Sequence, residues 1–240
     1  MYGKSLKELN TKFYVKKINN KNYVYEKISS EKEFSYFRIK LNPNTKYEIK
    51  DKSIYLFLNK GSVVINKKKH TNNSKEFIFS KDFLSFQTIT HTELYLFFFK
   101  KISKLKVVQI HRNCNSKISI LPIKRKKKYW GYIYDLLQNK KGAIKIIEMN
   151  TGTQSSMEFH IKKKENYFLE VGEMDLGIRY SRGLNGIIKL TRNNSFLMKP
   201  GTMHMRMAKK NCKIIEMSTK DHDNDSIIVH DGKKYKFKVS

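Results

Sequence analysis

Short runs of β-branched and aromatic residues recur along this chain, each broken by Asn, Lys, Asp or Gly, and helical periodicity is weak. In the first half they are Phe13-Tyr14-Val15, Tyr23-Val24-Tyr25, Phe34 to Ile39, Ile54 to Leu58, Val63 to Ile65, Phe77 to Phe79 and Leu94 to Phe99. The second half repeats the pattern. Its runs are Ile144 to Met149, Met157 to Ile161, Tyr167 to Val171, Gly177 to Tyr180, Ile187 to Leu190, Phe196 to Met198, Met203 to Met207 and Ile214 to Met217. Such a chain is expected to be all-β, and about eight strands close a barrel that can hold one small ligand. A hydrophobic content of 39%, with 12% aromatic residues, supplies a packed core.

Within the second half, Met157-Glu158-Phe159-His160-Ile161 alternates. On a strand, Glu158 and His160 then share one face, and their apolar neighbours take the other. Glu165 opens the next apolar run, and His204 follows about four strands later. Two imidazoles and two carboxylates converging inside a barrel make a ligand set for a divalent metal. Zn, Mn, Fe, Ni and Co all accept such a set, and the carboxylates favour the harder ions. Arg206 lies two residues from His204, so it points inward if His204 does. Arg179, two residues from Gly177, and Lys162 are the other candidate cations for an anionic substrate. Met198, Met203, Met205 and Met207 read as core filler.

The residues Gly152, Glu158-x-His160, Glu165 and Gly172 resemble the first motif of the cupin superfamily, with Glu158 where His is usual. Asn193 and Lys199-Pro200-Gly201-Thr202-Met203-His204 resemble the second motif, with Asn193 replacing a Gly and Lys199 a Pro. Asn tolerates positive φ, so a turn is expected to survive at Asn193. From Lys128-Tyr129-Trp130-Gly131 to Ile228 the chain looks most like the C-terminal cupin of type II mannose-6-phosphate isomerases. That resemblance implies a metal on Glu158, His160, Glu165 and His204 and isomerase-like action on a small anionic sugar or sugar phosphate. Glu158 would move the proton, and Tyr180 would act as acid or base, or simply pack. Two alternatives are a non-catalytic sugar- or carboxylate-binding bicupin and another cupin reaction, lyase or dioxygenase, on a small acid.

The halves also align. Asn42-Pro43-Asn44-Thr45 matches Asn150-Thr151-Gly152-Thr153, which puts Tyr47, Ile49 and Ile54 at the first-half ligand positions. The expectation is therefore two jelly-roll barrels in tandem: a degenerate, metal-free cupin over 1–100, a basic linker over 101–128 and a metal-binding cupin over 129–240. His91 is expected to be an ordinary half-buried residue.

A formal charge of +29 invites a nucleic-acid reading. The charge is mostly Lys, scattered and mixed with Asn and Ile, as an AT-rich coding sequence would produce. No specific nucleic-acid partner is therefore expected, only non-specific polyanion binding, and Lys124-Arg125-Lys126-Lys127-Lys128 reads as a solvated linker. Cys114 and Cys212 form no Cys-x-x-Cys pair and read as reduced thiols. Met1-Tyr2-Gly3-Lys4 lacks the apolar core of a signal peptide, and the run Leu94 to Phe99 is too short to span a bilayer. The chain is expected to be cytoplasmic and without a membrane partner; its assembly is left open, a homodimer included.

Overall fold

The computed structural model describes residues 15–112, 114–180, 182–221 and 223–238. The predicted strand residues Phe13 and Tyr14 lie outside the described residues. The chain forms two compact domains, Val15–Ile123 and one that starts at Lys124. Every named strand pairing is antiparallel. The only helices among the described residues are two 3-10 turns, Asn72–Ser74 and Asp223–Asp225, and no helix is long and apolar enough to cross a membrane.

The first domain contains β1 (Lys16–Asn19), β2 (Tyr23–Ser30), β3 (Ser35–Leu41), β4 (Lys46–Lys50), β5 (Ile54–Lys60) and β6 (Ser62–Ile65). After them come β7 (Lys68–Thr71), β8 (Phe77–Ser80), β9 (Phe83–Thr88), β10 (Thr92–Phe98), β11 (Val107–Gln109) and β12 (Ile118–Leu121). They form sheets of order β1-β2-β3-β10-β5-β8-β12 and β11-β4-β9-β6-β7. Inward residues of both sheets meet in one apolar cluster that includes Tyr47, Ile49 and Ile54, all fully buried. The Tyr47 hydroxyl donates to the Asn22 carbonyl at 2.6 Å. The positions that align with ligands are thus filled by core. Among the described residues, no group of three metal-donor side chains converges in this domain. His91, expected half-buried, is exposed.

Strands of the second domain are β13 (Lys124–Lys128), β14 (Gly131–Gln138), β15 (Ala143–Met149), β16 (Met157–His160), β17 (Glu165–Val171) and β18 (Glu173–Tyr180). They continue with β19 (Gly186–Thr191), β20 (Ser195–Met198), β21 (Thr202–Ala208), β22 (Cys212–Ser218) and β23 (Ser226–His230). The sheet orders are β13-β14-β15-β22-β17-β20 and β19-β18-β21-β16-β23. Between them lies an apolar core around Trp130, Ile147, Tyr167, Leu169, Leu176, Phe196 and Ile214.

Two turns hold the motif geometry. Asn193 sits at φ 70°, as its match to a glycine position requires. Gly172, at φ 95°, lets β17 turn into β18. A Cβ there would stand 2.2 Å from the Asn211 carbonyl oxygen, so no larger residue fits.

The segment read as a linker is strand. β11 pairs with β4 and β12 with β8, which ties 107–109 and 118–121 to the first domain. Residues 124–128 pair with β14 in the second. Their sequence hides the strand because an edge strand with both faces in water needs no apolar alternation.

Candidate metal centre

Inward alternation changes character along several strands of the second domain. On β17 the inward residues run Glu165, Tyr167, Leu169, and on β15 Lys145, Ile147, Met149; the apolar members join the core. The polar ends meet β16 and β21 around a cavity of about 440 Å³. Glu158 on β16 stands directly opposite His204 on β21. With His160 they offer three donor atoms within 4.8 Å of one another. Glu165 reaches in from the other sheet, its Oε2 lying 3.5 Å from His160 Nε2 and 3.4 Å from His204 Nε2.

The tautomers follow from the surroundings. His160 Nδ1 faces the Asp225 carbonyl at 3.1 Å, and His204 Nδ1 faces the Thr202 carbonyl at 3.0 Å. A carbonyl only accepts, so each Nδ1 carries the hydrogen and each Nε2 turns a lone pair towards the carboxylates. His160 Nε2 is buried without a hydrogen-bond partner. Lone pairs meeting carboxylate oxygens at these distances repel unless a cation or a proton lies among them. The residues present therefore fit a divalent ion.

Titration behaviour tells the same story. Burial alone would raise the Glu165 carboxyl; Lys163 and the two imidazoles overcome it and hold that carboxyl well below the usual carboxylate range. Burial opposes charge on His160, yet Glu165 beside it raises its pKa above the ordinary 6.5, while burial dominates at His204 and lowers it. A metal must displace the His160 proton. Apparent affinity is therefore expected to be flat above the raised pKa and to fall about tenfold per pH unit below it, one proton being exchanged. Competition titration with a chromophoric chelator between pH 5 and 8 checks this; a pH-independent affinity would contradict it.

Most neighbours of these four residues are charged, and several of them are buried. Glu158 accepts from Arg206 Nη2 at 3.2 Å and from the Ser226 hydroxyl at 2.7 Å. Arg206 is itself buried, lies over the rings of Trp130 and Tyr167 at 5.6 and 5.4 Å, and leaves its Nε without a partner. Lys163 Nζ is 2.7 Å from Glu165 Oε1 and 3.1 Å from Asp221 Oδ1. Asp221 Oδ2 is 2.5 Å from Lys145 Nζ, which lies 3.6 Å from Glu216. Tyr167 places its hydroxyl 3.1 Å from Glu165 Oε2 and 3.3 Å from His204 Nε2. Asp225 accepts the backbone N–H groups of Ile161, Lys162 and Lys163, which fixes the turn carrying Lys163.

Of the residues expected at the site from sequence, Glu158, His160, Glu165, His204 and Arg206 come together. Three do not. Ile178, not Arg179, stands opposite His204, so Arg179 points to the other sheet face and donates to Met203 Sδ at 3.3 and 3.2 Å. Met203 and Met207 are half-buried, whereas Met198 and Met205 are core. Tyr180 packs against the apolar core, away from the cavity. Lys162 is exposed, and its neighbour Lys163 is the buried cation. Sequence reasoning missed Lys163, Lys145, Glu216 and Asp221. A lone Glu216 at an inward position of the apolar run Ile214 to Met217 was the one available signal.

No protein-family model matches the sequence, and no curated protein does. Among solved structures, a mutant of the Bacillus subtilis oxalate decarboxylase OxdC is similar at a TM-score of 0.68. The match has 10% identity and covers 90% of this chain and 77% of that one. The fold is a bicupin. The Lactobacillus farciminis oxalate decarboxylase formate complex is also similar to this chain, at a TM-score of 0.66 and 10% identity, covering 90% of this chain and 86% of that one. A third similar structure, with a TM-score of 0.66, 10% identity and 90% and 77% coverage, concerns the Mn(II) centres of the Bacillus subtilis oxalate decarboxylase.

Proposed function

We propose that this bicupin is a metal-dependent protein acting on a small carboxylate-bearing anion, with a divalent ion held by Glu158, His160, Glu165 and His204. The observation that carries the reading is the partnerless buried Nε2 of His160 among converging carboxylates. A divalent ion bound there would supply a Lewis acid for an anion's oxygens. The cavity's side-chain charges balance, Lys128, Lys145, Lys163 and Arg206 against Glu158, Glu165, Glu216 and Asp221. Adding a divalent ion makes the cavity net positive, which favours an anionic ligand. Arg206 Nε–H, buried and unpartnered, is the donor for that ligand's carboxylate. Similarity to Mn(II)-containing oxalate decarboxylases supports Mn(II) as the first ion to try and a small acid as the first substrate.

The sugar-phosphate isomerase reading draws on the same four residues. Of the three cations expected to meet a phosphate, only Arg206 lines the cavity, since Arg179 and Lys162 do not reach it. A lyase-type reaction on a small acid is the better supported of the two.

The test is calorimetric titration of the Mn(II)-loaded protein with oxalate, formate and a hexose phosphate, with product analysis of each mixture. Oxalate or formate is expected to bind more tightly. In Arg206→Lys, at saturating Mn(II), that binding is expected to weaken by about 1.5–3 kcal/mol, the worth of a hydrogen bond to a charged group. Preferential binding and turnover of the hexose phosphate would replace this reading with the isomerase.

A further inference from the structure

The five-residue run Lys124-Arg125-Lys126-Lys127-Lys128 is, apart from Lys128 at the cavity rim, unused by the metal centre. The expectation of no specific nucleic-acid partner rests on the scattering of the lysines, and this run reads from sequence as a solvated linker. It is instead β13, an edge strand with β14 as its single neighbour and all five side chains exposed. A strand fixes what a linker does not: alternate cations project to the same side, about 6.7 Å apart. Lys126 is held by Asp135 at 2.7 Å. The other four have no carboxylate within ion-pair distance among the described residues. Pairing of this edge with a second copy would set Lys against Lys, which disfavours it.

The second observation is a stack. Arg125 and Lys127 share a sheet face with Tyr134 and Tyr132, their register partners. The Arg125 guanidinium lies 3.8 Å from the Tyr132 ring centroid and 5.8 Å from that of Tyr134. One face of the guanidinium is thus laid on a ring, while Arg125 as a whole remains exposed.

We infer that β13, with Tyr132 beneath Arg125, is a docking surface for single-stranded nucleic acid. Lys127, on the face of Arg125, contacts the phosphate beside a base stacked on the outer face of Arg125, and Lys124 and Lys128, on the opposite face, reach flanking phosphates across the unpaired edge of the strand. An anionic membrane fits less well, because the strand carries no apolar residue to insert. An acidic peptide would use the charges but not the stack.

The experiment is fluorescence anisotropy of the full chain with labelled oligo(dT), oligo(U), poly-glutamate and dextran sulfate over a salt series. One variant changes all five β13 cations to Gln. A charge-matched control changes the exposed Lys140, Lys141, Lys189, Lys199 and Lys234 to Gln. The β13 variant is expected to lose at least about 100-fold in oligonucleotide affinity, with a salt slope smaller by about 2, at about 0.7 for each of the three phosphate contacts to a single strand. The control is expected to lose far less. Equal losses in both variants would mean diffuse attraction from the +29 charge and overturn the inference. Arg125→Lys keeps the charge and loses the plane, so it is expected to weaken oligonucleotides about tenfold and leave dextran sulfate unchanged. An equal effect on both ligands, or none on oligonucleotides, would overturn the stack. Poly-glutamate binding as tightly as the oligonucleotides, with the same sensitivity to β13, would assign the surface to acidic peptides instead. Comparing oligo(dT) with oligo(U) separates DNA from RNA.

Discussion

Loaded with Mn(II) and passed through a desalting column, the His204→Ala protein is expected to emerge metal-free, while the wild type retains about one ion per chain. His204 presents Nε2 from the strand position directly opposite Glu158, with its ring held by the Thr202 carbonyl. Tyr167, whose hydroxyl lies 3.3 Å from that Nε2, does not replace it, because burial raises its pKa well above the usual tyrosine value. Loss of an outer partner of a metal ligand already costs about 10–100-fold in affinity, so loss of the imidazole itself should exceed about 100-fold. His160→Ala should do the same. Elemental analysis of the desalted proteins decides it. Full occupancy in both variants would remove the four-residue centre and the function built on it.

The largest stability effect is expected at Lys163. Its ammonium joins Glu165 to Asp221 with only 5% of its side chain exposed. Lys163→Met keeps the length and removes the charge. Glu165, buried among lone pairs, then loses its nearest cation, and breaking such a pair from one side costs about 3–5 kcal/mol. Lys162→Met, next door but exposed, should stay within about 0.5 kcal/mol. The pH dependence has a definite sign. Glu165 is held well below the usual carboxylate range, so its pairing stabilises the fold above about pH 4.3, the unfolded value, and fades as pH falls through the folded one. The gap between Lys163→Met and wild type should therefore shrink in acid. Saturating Mn(II) should recover part of the loss at neutral pH, since the ion places positive charge on the other oxygen of the same carboxylate. Urea unfolding with and without Mn(II) measures all of this. Indistinguishable midpoints for the two Met variants would show that Lys163 is not part of a working buried network.

What could be read from residues alone followed strand parity. Glu158 and His160 were placed together because spacing by two has one meaning on a strand. Arg206 was placed correctly because its face was tied to a residue that had to point inward. Arg179 failed for want of such an anchor: Gly177 has no side chain to declare a face, and Ile178 turned out to stand opposite His204. Lys163 was invisible because a run of three lysines looks solvated. Its burial depends on Asp221, 58 residues away, and on the turn that Asp225 gathers. The tandem architecture was legible from the repeated runs. β13 was not, since its five charged residues carry no alternation.

The four proposed ligands are divided between the two sheets of the second domain. Glu158, His160 and His204 belong to one, and Glu165 comes from the other. An ion gripped from both sides would work as a rivet, so metal status becomes a matter of lifespan as well as chemistry. At an ion concentration 100 times the dissociation constant, the riveted form gains about 2.7 kcal/mol over the empty one. A starved cell would hold a population whose sheets part more often, and proteases act on what opens. Metal supply would then set how long each copy lasts.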